Sequence, residues 1–483
     1  QPRSTSALIC WQCPSWFNNN KLEFAMTDVK SDKTNPTAAG WSRRDVLKAT
    51  SVGAVGAATP MFFTQNAWAE KAIGNYPVNG SEVVLGFNVP QTGAYADEGA
   101  DELRAYKLAV KHLNNGGGML DTLKPSMLKG NGILGKKVTY VTGDTQTNAD
   151  ASRTSARRMI ERDKVIMVTG GSSSGIAIAQ QYLCNELGII FMCGLTHSND
   201  TTGKDKQRYG FRHFFNAHMT GKALSPVLSN EYGKDRRAFH LTADYSWGHT
   251  QQESMQEFTE KEGWGTEGNI MTPLKTTDFS QYLSQVLNSD ADVLILNHYG
   301  ANMVNSLTNA VNFGMRDMQK NGKNLEIVVP LYSRLMAKGA GSANIDGVLG
   351  TSGWNWALQD EGSKVFVKAF SDEYGFPPSQ AAHTCYVQTL LYANACEMAG
   401  TFYPPEVIKA LEDFEFTGAG NGPTLYRGSD HQCIKDILVM QGKSPSARNS
   451  DFDYLQIVDQ VDAKTVDYDP AIFGGELGPY EPA

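Results

Sequence analysis

From Glu82 onward, short apolar runs alternate with segments of helical spacing, and the series is played through twice. Residues 83–89 form an apolar run closed by Pro90. Leu103, Tyr106, Leu108, Ala109, Val110 and Leu113 then recur at near-helical spacing until Gly116-Gly117-Gly118 ends the helix. Residues 138–141, 165–168 and 188–192 read as further strands, with a helix over 150–162. A second series begins at 238–242 and continues through 293–296, 327–329 and 347–350. Its helices reach to Lys261 and over 301–313; a long one over 379–399 is closed by Gly400, and a last strand follows around 434–440. Strands separated by helices cannot pair as tight hairpins, so they lie parallel with helices on both faces. The expected class is α/β, with two doubly wound lobes and a cleft between them. The stretch 120–134, rich in Gly, Lys, Pro and Ser without a clear period, reads as a surface excursion.

Ahead of the first strand, Ser42-Arg43-Arg44-Asp45-Val46-Leu47-Lys48 spells a twin-arginine export element. The weakly apolar run after it, 49–63, is shorter than the ~20 residues a membrane-spanning helix needs. Ala67-Trp68-Ala69 then offers a small-x-small cleavage pattern, which places the cut near Ala69, before Glu70. The expectation is export in the folded state and a periplasmic mature chain that is neither a lipoprotein nor membrane-spanning. Met26 stands at a sensible distance upstream to be the start, and the single Cys10-Trp11-Gln12-Cys13 is given no function. A net charge of −8 with 19% charged residues argues against nucleic acid as a partner. Beyond the cut stand Cys184, Cys193, Cys385, Cys396 and Cys433, an odd number, of which Cys396 and Cys433 are the expected disulfide pair.

Gly170-Gly171-Ser172-Ser173-Ser174-Gly175 follows a strand and opens a helix. Unpaired N–H groups and three hydroxyls at a helix start make a cradle for a carboxylate, amide or hydroxyl, whereas simple N-capping would need only one serine. A dinucleotide fingerprint would need glycine where Ser172 stands. The same residues fit G-x-S-x-G, with Ser173 as the nucleophile of an α/β-hydrolase-type esterase and His383 or His431 completing a triad. Against that reading, the turn follows only the third strand of its series and no backbone-rich oxyanion loop is evident.

The order strand, Gln91-Thr92-Gly93-Ala94-Tyr95, Gly-terminated helix, strand, Gly-Ser-Ser-Ser, helix, strand, Thr/Ser-rich loop resembles the type I periplasmic binding proteins. Within them it is most similar to the branched-chain amino acid and amide binders of ABC importers. The resemblance implies two lobes joined by three crossovers: 80–211 plus 358–427, and 212–357 plus 428–461, with an irregular tail over 462–483. It implies a ligand pocket built from Tyr95, Ser172, Ser173, Ser174, Leu195, Thr196, His197, Trp247, Tyr299 and Tyr332. It further implies capture of a small polar solute and delivery to a membrane permease and its ATPase, by a monomer without cofactor, metal or catalysis. A periplasmic sensor is the other non-enzymatic reading. His197 stands where the family usually has threonine, and Tyr332 where amino-acid binders often carry a glutamate for the ammonium group. Burying an ammonium without a counter-charge is costly, so the expected ligand is a neutral polar molecule or an anion.

Overall fold

The computed structural model describes residues 72–482. Arg43, Arg44, the Ala69 cleavage pattern, Cys10, Cys13 and Met26 lie outside the described residues. The first sheet contains β1 (Glu82–Val89), β2 (Lys137–Asp144), β3 (Met167–Gly170), β4 (Ile190–Cys193) and β5 (Gly210–Arg212). Its order is β2-β1-β3-β4-β5, and every pairing is parallel. The inner strands β1, β3 and β4 are covered on both faces, whereas the edge strand β2 is half exposed, and the side-chain period of two divides the inner strands between two cores. Met167, Ile190 and Met192 point to one core, with helix α1 (Ala96–Asn115) and the long helix Gln380–Ala399. Val168, Phe191 and Cys193 point to the other, with helices α2 (Ala149–Glu161) and α3 (Ser174–Glu186).

The second sheet is built from β6 (Arg237–Ala243), β7 (Gly265–Thr272) and β8 (Val293–Asn297), then β11 (Glu326–Leu331) and β12 (Leu349–Ser352), with β16 (Ile437–Gly442) and β17 (Leu455–Val461) completing it. A small hairpin, β9 (Gln319–Lys320) and β10 (Lys323–Asn324), interrupts the series, and β13 (Phe414–Phe416), β14 (Thr424–Tyr426) and β15 (Cys433–Ile434) form a separate antiparallel sheet. The order is β17-β16-β12-β11-β8-β6-β7, parallel from β7 to β12 and antiparallel at β16 and β17. Helices α4 (Ala217–Tyr232) and α5 (Ser246–Lys261) pack on it, as does α7 (Gly300–Asn312), which follows α6 (Ser280–Asn288).

The chain passes between the sheets after Arg212, after Ser352 and around Gln432. These crossovers are tied together: Arg212 Nε donates to Gln432 Oε1 at 2.8 Å, and Asn421 Nδ2 donates to the Gly353 carbonyl at 2.9 Å. Trp354, at the second crossover, stacks on His383 with ring centroids 4.5 Å apart and donates Nε1 to Ser363 Oγ. Its role there is structural.

Several expectations shift. The strands expected at 165–168 and 347–350 lie two residues later, at Met167–Gly170 and Leu349–Ser352. The strand expected around 434–440 breaks at Lys435 and Asp436 into β15 and β16, which belong to different sheets. The edge strands β7 and β17 carry no apolar pattern because much of each faces solvent. The excursion 120–134 is anchored by Leu123 and Ile133 in the core and by Met127 N donating to Asn394 Oδ1 at 2.7 Å. The tail returns to the body through Tyr468 Oη, which accepts from Asn216 Nδ2, and the Tyr480 carbonyl, which accepts from Tyr209 Oη.

The expected Cys396–Cys433 bridge does not form. All five described cysteines are buried free thiols. Cys433 pairs with Tyr426, whose ring adjoins His213 beside His383, near the start of helix Gln380–Ala399. Cys396 lies about 20 Å further along that helix, far beyond disulfide reach.

Candidate functional site

Between β3 and α3 the chain turns at Ser173, whose φ of 87° lies in the region that only glycine adopts freely. The turn leaves the amides of residues 172–175 at the start of α3 without hydrogen-bond partners among the described residues. The three serines have separate jobs. Ser172 Oγ donates to Glu102 Oε1, which also accepts from Leu195 N at 3.3 Å. Ser174 Oγ accepts from His197 N at 3.2 Å and Ser198 N at 3.0 Å, fastening the loop after β4. Ser173 makes no side-chain hydrogen bond and remains available.

The opposite wall is aromatic. Trp247 packs edge-on against Tyr299 with centroids 6.2 Å apart and lies 5.9 Å from Tyr245. Tyr95 tilts against Tyr299 at 6.1 Å, and its hydroxyl lies 2.8 Å from that of Tyr245. Gly300 permits this approach: its φ is 57°, and a Cβ there would meet the Tyr95 ring at 2.8 Å. Tyr95 belongs to the first lobe and Tyr245, Trp247, Tyr299 and Gly300 to the second, so these contacts describe a closed cleft.

Tyr95, Ser172, Ser173, Ser174, Leu195, His197, Tyr245, Trp247, Tyr299 and Leu331 line one small pocket, which the closed lobes leave nearly filled. Eight of the ten residues named from the sequence are therefore brought together, and two are not. Thr196 is turned inward, its Oγ1 donating to Ser174 Oγ. Tyr332 is wholly buried in the second-lobe core, and Leu331 takes the wall in its place. The chain direction alternates side chains at the end of β11, so a single-residue offset moves the ring to the other side. His197 lines the pocket but has no free ring nitrogen. Nδ1 donates to the Phe215 carbonyl at 2.7 Å and Nε2 accepts from Thr220 Oγ1 at 2.9 Å. Burial holds its pKa well below the ordinary value, so the ring is neutral.

Two acids stand directly behind these walls. Glu98 Oε1 accepts from Tyr299 Oη at 3.0 Å and Ser333 Oγ at 2.8 Å. Glu102 holds Ser172 and Leu195 as described. Each has its second carboxyl oxygen buried without a partner. Burial pushes Glu98 up to about 7 and Glu102 up to about 8. With Asp101 they occupy positions i, i+3 and i+4 of one buried face of α1. Tyr332 leaves no acid at the position expected from the sequence, and the acids beside the site stand on α1 instead, where their helical spacing on the buried face is the signal the sequence carries.

A triad around Ser173 is not assembled. His383 Nε2 donates to the Ala419 carbonyl, and His431 engages the Gly210 carbonyl and Glu412. Among the described residues no group of three or more His, Cys, Asp or Glu is placed to hold a metal ion, and no helix is long and apolar enough to cross a membrane.

Two doubly wound lobes tied by three crossovers, closed over a small pocket of amides, hydroxyls and aromatic rings, define a two-lobed solute-binding protein. The periplasmic binding protein family model matches residues 82–449, and the chain belongs to that family. It is similar to Leu/Ile/Val-binding protein homolog 8 of Brucella abortus, 24% identical over 373 residues, which are 73% of this chain and 86% of that protein. Among solved structures it resembles a periplasmic binding protein of Burkholderia mallei, with a TM-score of 0.72 and 22% identity over 81% of this chain and 97% of that one. It also resembles an ABC transporter solute binding protein of Rhodopseudomonas palustris in complex with 3,4-dihydroxy benzoic acid, with a TM-score of 0.67 and 19% identity over 80% and 98% of the two chains.

Proposed function

We propose that this chain is the periplasmic substrate-binding component of an ABC importer, exported by the twin-arginine route, and that its cleft takes a small organic acid with a flat apolar body. The observation that carries the ligand class is the juxtaposition of the free Ser173 hydroxyl and unpartnered amides of the serine turn with the aromatic wall of Tyr95, Tyr245, Trp247 and Tyr299. A helix N-terminus with free amides favours an anion, and ring faces favour a planar body. Ser173 Oγ and the amides of 172–175 bind the carboxylate, and Trp247 and Tyr299 flank the body. No covalent step is required: affinity comes from closing the lobes, which expels water and strengthens each polar contact. The residues grouped as lobes 80–211 plus 358–427 and 212–357 plus 428–461 move as the two halves, and their faces beside the cleft meet the permease. The Rhodopseudomonas palustris protein in complex with a dihydroxybenzoic acid supports this class.

A second reading, an amino acid, is favoured by the unpartnered oxygens Glu98 Oε2 and Glu102 Oε2, which offer acceptors to an ammonium group. Titration calorimetry of ligand-stripped protein with 4-hydroxybenzoate and with leucine separates the two. Binding of 4-hydroxybenzoate with proton uptake supports the first; binding of leucine alone, with proton release, overturns it.

A further inference from the structure

Glu98 stands on α1 of the first lobe, yet both donors to its Oε1 come from the second: Tyr299 from the loop after β8 and Ser333 from the loop after β11. One of these, Tyr299, also lines the pocket. A single carboxyl oxygen therefore joins the two lobes at the point where the ligand would be enclosed. Ser333 additionally accepts from Met336 N at 3.2 Å, so the latch reaches the start of helix Arg334–Ala340.

Around Glu98 the charged and titratable groups are Asp101 and Glu102 on its own helix, and Tyr299 and Arg334 from the second lobe. Arg334 does not neutralise it: its guanidinium pairs with Asp101 at 3.8 Å and faces the rings of Phe376 and Phe452. In the closed cleft an ionised Glu98 is thus buried with two neutral donors on one oxygen, no partner on the other, and two acids beside it on the same helix face. With the lobes apart, water solvates the carboxylate.

We propose that Glu98 is the latch of the closed cleft, a positioning residue that fastens Tyr299 and Ser333 to α1 and closes more readily when its carboxyl carries a proton. The inference rests on the reading of this chain as a protein that binds by lobe closure. The sign follows from the direction of the change. Closure raises the affinity of Glu98 for its proton, from an ordinary 4.5 toward about 7. Closing therefore takes up a proton in that window and becomes less favourable as pH rises through it, by at most about tenfold per pH unit for one group.

The test compares wild type with Glu98→Gln and Glu98→Ala by small-angle X-ray scattering of ligand-free protein at pH 5 and pH 8, and by titration with 4-hydroxybenzoate across the same range. Glutamine keeps an acceptor for both hydroxyls but cannot ionise. Wild type should be more compact at pH 5 than at pH 8, Glu98→Gln compact at both, and Glu98→Ala expanded at both. The affinity of wild type should fall as pH rises, with the slope reduced in Glu98→Gln and binding at least about tenfold weaker at pH 5 in Glu98→Ala. A Glu98→Gln protein that keeps the wild-type pH response, a Glu98→Ala protein as compact as wild type at pH 5, or a wild type unchanged between the two pH values overturns the latch. Failure of 4-hydroxybenzoate to bind removes the proposed ligand class and leaves the scattering comparison to decide the latch.

Discussion

Tyr95 and Tyr245, 150 residues apart and on opposite lobes, meet hydroxyl to hydroxyl at 2.8 Å over the pocket. Burial pushes the pKa of both phenols well above 10, so both are neutral and one donates to the other. This contact can exist only while the cleft is shut.

Tyr245→Phe removes the contact and leaves the ring wall in place. Its affinity should fall about fivefold, the net worth of one neutral hydrogen bond, while the unfolding temperature stays within a degree or two. Calorimetric titration beside a thermal melt checks both; a loss confined to the melt would deny the contact a role in closure.

Ser173 combines an unused hydroxyl with a strained backbone. Ser173→Gly should hold or raise stability, because glycine adopts a φ of 87° without steric cost. Both Ser173→Gly and Ser173→Ala should weaken an anionic ligand by roughly tenfold or more, the range for a hydrogen bond to a charged group. Opposite movement of melting temperature and affinity in Ser173→Gly is the diagnostic outcome.

Glu102 connects the serine turn to the loop after β4 and titrates at about 8 in the folded chain against 4.5 when solvated. A carboxyl with a raised folded pKa contributes stability that is complete below the solvated value and is lost as pH rises through the folded one. The protein should therefore melt higher at pH 5 than at pH 8.5, with a difference on the order of a few kcal/mol at most. Glu102→Gln, which preserves an acceptor for Ser172 and Leu195, should flatten that profile.

The five described cysteines are buried, and burial raises the pKa of each thiol. Iodoacetamide should leave Cys184, Cys193, Cys385, Cys396 and Cys433 unmodified in the native protein and label all five after unfolding without reductant. Intact-mass measurement reads both states, and an oxidised pair would appear as two missing labels.

Strands buried on both faces were the most legible part of the sequence. In Ile190–Cys193 every residue is covered and the apolar run itself marks the strand, whereas the run 165–168 marks Met167–Gly170 only to within two residues, because Thr169 and Gly170 are covered without being apolar. Gly265–Thr272 and Leu455–Val461 were not legible, because an edge strand faces solvent and needs no apolar signature. The serine turn was legible for a local reason: glycines and hydroxyls between a strand and a helix have few conformations open to them. Tyr332 was misplaced because facing is decided by one residue of offset, and composition is blind to that offset.

The sequence by itself determined the alternating α/β series, its duplication into two lobes and the serine turn, since each depends on hydrophobic period or backbone chemistry within a few residues. Only the tertiary structure decided which side chains meet across the cleft. Tyr95 with Tyr245, and Glu98 with Tyr299 and Ser333, are joined by the crossovers and by lobe closure. The same closure contributes to the raised pKa of Glu98, because it removes water from a carboxyl whose partners lie more than 200 residues away on the other lobe.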